Sequence, residues 1–443
     1  MKTRVQISIE DLTDHGLYIL LLLYVFSLPF QGILSFGSGV TYIFKYSLIG
    51  LMLTFIWICY PYAFQLQDRF RLFLLLIGLC YGVWATVLTI INGGDAIGVA
   101  ESVSLSVLLV FSSLLIFLLE YHRWHIQILR FLVFSSALAL FISWIFFVGK
   151  VRILLPPEFR HITPNRLYGV IKSPNATAYL AFCGLLSVVT LTAKKFMNIH
   201  LGQVFSIFFL VSFIFTFSKA SFLGFMFVCV YIGLKGKELI KKVFGNKTIL
   251  KHLLVVMLGV VLLYHFGGFG SRHSSMFNRN ALLDILRIKR NVVQTGNRML
   301  VWSYALDIIE DHWLFGIGPA NWKKFFYSYG MEEEYDSPHN GFLEVLGGIG
   351  VFGLGFYLLL IFFIWQRSAM LDSLIRLSVR SLLVFTVTRE IVEVSTIFNC
   401  VINGMLFWLL IAIFFSFNNF WRESEVSGVT IRLWKLENIR KGR

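Results

Sequence analysis

The sequence predicts an all-α, polytopic integral membrane protein of about twelve transmembrane helices, and three observations carry that reading. The 443 residues are 57% hydrophobic and only 14% charged, a balance far more apolar than a soluble domain of this length carries. Apolar runs of the length a bilayer core requires, about 20 residues, recur along the chain. Lys and Arg sort to alternate loops, as the positive-inside rule demands.

In order, the spans fall near 17–35, 41–61, 70–91, 98–119, 127–148, 176–193, 199–217, 220–234, 252–267, 340–364, 379–396 and 400–418. The first run has no small-residue cleavage site and leads straight into another span, so it reads as a retained helix and not a signal peptide. With the N-terminus in the cytoplasm, the inner segments hold Arg69, Arg71, Arg123, Lys194, Lys195, the run from Lys235 to Lys247, Arg367 and the basic tail to Arg443. The outer turns near 36–40 and 92–97 hold neither Lys nor Arg. Both termini are then cytoplasmic. The net charge of +15 arises largely from loops that face anionic lipid, and no basic face coincides with a nucleic-acid recognition motif. Cys59, Cys80, Cys183, Cys229 and Cys400 lie in or at the edges of spans without paired spacing, which predicts neither disulfides nor a metal site.

Three regions follow. Residues 1–267 hold helices one to nine, with a basic outer loop at 149–175 that contains Arg152, Arg160, Arg166 and Lys172. Residues 268–338 form a large outer loop between helices nine and ten, and 339–443 hold the last three helices and the tail. Eight cations in the large loop (Arg272, Arg279, Arg287, Lys289, Arg290, Arg298, Lys323, Lys324) exceed what positive-inside sorting places outside. A solvated cap explains some of them; an anionic ligand handled at the outer leaflet explains their number. Within this loop, 277–291 has the spacing of an amphipathic surface helix. A second helix is expected from an Asn297 cap, with Leu300, Ala305, Ile308 and Ile309 as its apolar stripe, ending before Gly316-Ile317-Gly318-Pro319.

The stretch DSPHNGFLEVLGGIG (336–350) sets an imidazole at the mouth of a span. With Asp336 or Ser337 as cap and Pro338 at the first helical position, His339 falls in the first turn. There the positive end of the helix dipole disfavours imidazolium, which leaves a neutral ring of the kind a general base needs. Taken alone, the residue serves as well for capping or a loop hydrogen bond. Gly347, Gly348, Gly350, Gly353 and Gly355 then let neighbouring helices approach. Arg298 and Trp302 share a helix face, Lys219 in FSKAS lies at a similar depth to His339, and Arg166 sits just outside the sixth span. Guanidinium groups clamp phosphate oxygens in pairs, whereas Lys supplies a point charge. Arg389 and Glu393 in TREIVEV are one helical turn apart and suited to pair, with Glu390 as a second carboxylate; such intramembrane charges are functional or form a structural pair. Phosphate-loop, HExxH, Cys/His-cluster and paired outer-aspartate motifs are missing, so the chemistry is expected to run without nucleotide, metal or other cofactor.

Four stretches, RLYGVIKSPNATAYLA (166–181), TFSKASFLG (216–224), NRMLVWSYALDIIEDHWLFGIGPANW (297–322) and SPHNGFLEVLGGIGVFGL (337–354), together resemble the O-antigen ligase and O-antigen polymerase superfamily of bacterial envelope enzymes. The resemblance covers the C-terminal two-thirds of the chain. It implies a GT-C-type architecture, a location in the bacterial inner membrane, and a glycan donor carried on undecaprenyl diphosphate at the periplasmic face. Carried over by position, His339 is the general base, and Arg298 and Lys219 hold the diphosphate, with Arg166 as a further candidate. Asn340, Trp302, Asn175, Arg389 and Glu393 are supporting candidates. The family commonly has Arg where Lys219 stands, so the charge is kept and the fork is lost.

Within the superfamily a ligase moves glycan to lipid A core, whereas a polymerase moves a growing chain to a second lipid-linked repeat unit. About twelve spans, one dominant outer loop and no C-terminal soluble domain favour the ligase; the basic loop at 149–175 favours the polymerase. A lipid-linked sugar flippase or transporter is the reading from another class, and it calls for repeat symmetry and polar, broken helices at the midplane that the sequence does not display.

Overall fold

A computed structural model of the chain describes residues 9–30, 49–57, 69–149, 173–235, 288–331, 335–394 and 403–417, with positions 47, 167, 170 and 397 between them. Among these residues the structure is helical and contains no strand. The principal elements are α1 (Ile9–Ser27), α2 (Arg69–Ile91), α3 (Ala96–His122), α4 (His125–Val148), α5 (Pro174–Ala193), α6 (Ile199–Phe215), α7 (Lys219–Lys235), α8 (Ile288–His312), α9 (Trp322–Ser328), α10 (Gly341–Ser368), α11 (Ser373–Glu390) and α12 (Asn403–Phe417). Residues 49–57 are also helical. The expected span at 252–267 and residues 277–287 of the surface helix expected at 277–291 lie outside the described residues, whereas 288–291 belong to α8.

Among the described residues, five helices are long and apolar enough to cross a membrane: Arg69–Ile91, Gly98–His122, His125–Val148, Pro174–Ala193 and Gly341–Ser368. Their ends follow local chemistry. Asp95 accepts from the Gly98 amide at 2.7 Å and starts α3. Ser173 caps α5, and Pro174 stands in its first turn, where a missing amide costs nothing. Asp372 caps α11 by accepting from Leu374 and Ile375 at 3.0 and 3.3 Å.

That cap corrects the expected span at 379–396. The helix begins six residues earlier, at Ser373, and stops at Glu390, leaving 391–394 as a bend. α8 likewise runs from Ile288 through Asn297 without a start there, so Asn297 is interior and no cap. Its buried stripe is Val301, Ala305, Ile308 and Ile309, while Leu300 is exposed.

The bundle is held by close helix contacts and by hydroxyl pairs that satisfy each other where water is excluded. α11 packs on α5 and α7: Phe182 and Phe385 stack at 3.8 Å, Tyr179 Oη pairs with Thr386 at 2.9 Å, and Thr190 with Ser378 at 2.9 Å. Gly224 lets the α7 backbone approach the Phe385 carbonyl, which a Cβ there would meet at 2.7 Å. At the end of α5 and α11 away from the Asn175 and Glu390 ends, Lys194 reaches Asp372 at 2.8 Å.

The segment from Trp313 to Trp322 docks into a break in α10. Gly350 has φ of 73° inside that helix, and the Val351 amide donates to the Trp313 carbonyl at 2.9 Å instead of closing its own turn. The carbonyls this releases accept from the next segment, Gly347 from Ile317 at 2.8 Å and Gly348 from Gly318 at 2.7 Å. The glycine-rich run therefore receives residues 309–322 and not neighbouring spans as expected: Trp322 and Ile309 lie against Gly347, Pro319 against Gly348, and the Leu314 carbonyl against Gly350. Asn321 bonds the Thr89 carbonyl at 3.3 Å and Lys324 the Asn92 carbonyl at 2.8 Å, fastening the same segment to the α2–α3 turn.

Candidate functional site

The site is built where α10 begins. The helix starts at Gly341, and its cap is Asn340, whose side-chain oxygen accepts from Phe342 and Leu343 at 3.0 and 3.1 Å. His339 thus precedes the helix and is not in its first turn, contrary to the expectation from Asp336 or Ser337 as cap. Asn340 wins because its carbonyl reaches two orphan amides while its own backbone stays extended. His339 itself has φ of 50°, a left-handed conformation uncommon for a residue with a side chain. Trp302 secures this turn from α8, donating from Nε1 to the Pro338 carbonyl at 2.9 Å.

The imidazole is half-buried, and Tyr335 meets it edge-on at 6.2 Å. Its Nδ1 atom is buried with no hydrogen-bond partner among the described residues. Burial lowers its pKa below the ordinary 6.5, Glu393 pulls it up, Arg298 pushes it down, and Asp336 pulls it up. The ring is therefore neutral near pH 7, as expected from sequence, but the main cause is desolvation and not the helix dipole.

The bend after α11 gathers the other groups. Arg298 donates to the Val392 carbonyl at 2.5 Å and to the Glu393 carboxylate at 3.3 Å. The same carboxylate oxygen accepts from Asn175 Nδ2 at 2.5 Å, and Asn175 Oδ1 accepts from Ser218 Oγ at 2.7 Å. Asn340 Nδ2 donates to the Ile391 carbonyl at 2.9 Å. Residues from all four resembling stretches therefore meet around 391–394.

Two sequence expectations change here. Glu393 does not pair with Arg389, because α11 has ended before the next turn could bring them together; it pairs with Arg298. Arg389 is buried, its guanidinium 5.5 Å from the Tyr179 ring centre, and Glu390 accepts from Tyr357 and from the Ile397 amide at 2.9 Å. Arg389 and Glu390 thus belong to helix packing below the site. Lys219 is exposed as the first residue of α7, next to Ser218. Arg166 lies outside the described residues. Of the cations expected in the large outer loop, Lys324 is engaged with the α2–α3 turn and Arg298 with the bend. The groups that sequence reasoning missed are mostly carbonyls, at Pro338, Ile391 and Val392, which no residue-type pattern can signal. Ser218 stood inside a quoted motif and was passed over for its charged neighbour.

Residues 204–358, about a third of the chain, match the family model described as O-antigen ligase. Over this stretch the chain is similar to the O-antigen ligase family. The matched segment holds Lys219, Arg298, Trp302, His339 and Asn340, whereas Asn175, Arg389 and Glu393 lie on either side of it. A search of the curated proteins found no match. The matched segment and the five long apolar helices among the described residues together mark a multi-pass membrane protein.

Proposed function

We propose that the chain is a metal-independent, inverting glycosyltransferase that moves a glycan from undecaprenyl diphosphate to an acceptor sugar hydroxyl at the periplasmic face of the bacterial inner membrane. In this reading it has about twelve spans in a GT-C-like arrangement and both termini in the cytoplasm. The observation that carries the chemistry is a half-buried His339 whose pKa burial lowers, with a ring nitrogen that has no partner among the described residues, close enough to Arg298 for that charge to bear on its protonation. Both residues fall inside the matching segment.

The acceptor oxygen attacks the anomeric carbon as His339 takes its proton. The bond from that carbon to the diphosphate oxygen breaks, and the electron pair leaves on the diphosphate. A diphosphate is a good leaving group whose charge needs neutralising more than protonating, and Arg298, Lys219 and the amides at the start of α7 supply that. Arg166 is a further cation for the same group. A single displacement inverts the anomeric centre.

The acceptor we favour is lipid A core, in keeping with the family's description. The polymerase reading rests on the basic loop at 149–175, which runs into Asn175 and so into the Arg298 network. The deciding experiment gives purified protein a lipid-linked repeat unit with either lipid A core or a second repeat unit, without metal or ATP. Transfer to lipid A core supports the ligase, a ladder of longer lipid-linked chains the polymerase. No covalent transfer with either acceptor would point to a flippase. His339→Ala is expected to abolish transfer while leaving the melting temperature nearly unchanged; transfer by that variant at near the normal rate would remove His339 from the role of base.

A further inference from the structure

Glu393 lies outside the matched segment, yet its carboxylate joins side chains from two helices of the site. It connects Arg298 on α8 with Asn175 on α5, and through Asn175 it reaches Ser218 at the start of α7. The Arg298 side chain is 37% exposed, whereas that of Glu393 is 8% exposed. The carboxylate and the Val392 carbonyl thus take two of the five guanidinium N–H groups, one from each terminal nitrogen, of a side chain that is itself partly exposed. A buried carboxylate accepting from both a guanidinium and an amide is a costly arrangement unless both bonds are kept, so the three side chains are fixed as a unit.

We propose that Glu393 is a positioning residue with two opposed effects on donor binding, an inference that rests on the diphosphate reading above. Geometrically, it aims the Arg298 fork at the entering diphosphate and keeps the starts of α5 and α7 in register with it. Electrostatically, its negative charge beside that fork weakens the hold on an anion, and so lets the carrier diphosphate leave after transfer. The carboxylate is an internal anion that keeps the guanidinium placed and partly neutralised when the site is empty.

The two effects separate in two substitutions. Glu393→Gln keeps an oxygen acceptor and removes the charge; Glu393→Ala removes both. With full-length protein in detergent micelles and undecaprenyl diphosphate as the probe, Glu393→Gln is expected to bind roughly three- to tenfold more tightly than the unaltered chain, the scale of one neighbouring charge in a half-exposed site. Glu393→Ala is expected to bind several-fold more weakly, and Arg298→Ala to lose most of the affinity. In the transfer assay Glu393→Gln lowers both the donor KM and kcat, as carrier release slows. Its acid limb also moves to lower pH, because Glu393 raises the His339 pKa against burial and Arg298, and Asp336 is left as the remaining carboxylate.

A loss of affinity in both Glu393 variants, or no change in either, overturns the proposal while leaving the diphosphate reading intact. If the unaltered chain does not bind undecaprenyl diphosphate, that reading fails and takes this one with it. Thermal unfolding of each variant identifies a folding defect, and the opposite signs expected of Gln and Ala are a result that loss of fold alone does not produce.

Discussion

His339 combines a left-handed backbone, a half-buried ring and a nitrogen without a partner among the described residues, each unfavourable by itself. Its cost is borne by the turn around it, where Trp302 holds the Pro338 carbonyl and Asn340 caps α10. Because burial lowers the folded-state pKa below 6.5, the unfolded chain takes up that proton more readily. The stability from neutral His339 is therefore complete above pH 6.5 and is lost as pH falls towards the depressed value. The acid limb of kcat/KM for the free enzyme is expected below pH 6.5; a limb above it would contradict a desolvated base. Trp302→Phe removes the indole N–H and leaves a carbonyl unpaired, at a cost of about 1 kcal/mol in stability. Its expected mark on function is larger, a tenfold or greater fall in kcat as the His339 turn loosens, with donor affinity little changed. His339 was legible as a candidate because a His-Asn pair precedes a glycine-rich apolar run. The reason for its neutral state was not, since burial of the ring belongs to the folded chain and not to local residue type.

At the scale of elements, α10 is a helix broken to receive another segment. The break depends on Gly350, whose φ of 73° disfavours any side chain and whose Cβ would meet the Leu314 carbonyl at 2.2 Å. Gly350→Ala is expected to lower stability by about 2 kcal/mol or more. The loss should appear as a lower melting temperature and as new proteolytic cleavage between 313 and 331, because the backbone bonds of Ile317 and Gly318 fail together. Cleavage unchanged from that of the parent would show that the segment is held by other means. Apolar length located this helix well, from an expected 340–364 to Gly341–Ser368. The break was not legible, because a run of glycines fits close packing of spans as well as a backbone turn. α11 was displaced for a related reason: its polar first half, with Arg376 and Arg380, looks unlike a span until Asp372 is seen to cap it.

For the whole molecule, the candidate site lies at one end of the bundle, where the starts of α5, α7 and α10 and the ends of α2 and α11 converge. Lys194 and Asp372 mark the other end of α5 and α11. The proposed sidedness has a direct check. Single cysteines replacing exposed Tyr327 and exposed Lys195, in a chain with its native cysteines removed, are expected to react differently with an impermeant maleimide. The first should label in intact spheroplasts and the second only after permeabilisation; the reverse order would invert the topology.

The sequence by itself determined that the chain is helical and apolar enough to cross a membrane, where most described helices run, and which stretches to examine. Those properties follow from local apolar length and residue type. Only the tertiary structure decided that Glu393 meets Arg298 and Asn175 and not Arg389, that the segment 313–322 fills a break in α10, and that desolvation keeps His339 neutral. Each depends on groups far apart in the chain, 218 residues for Asn175 and Glu393 and 94 for Arg298 and Val392, which local periodicity cannot bring together.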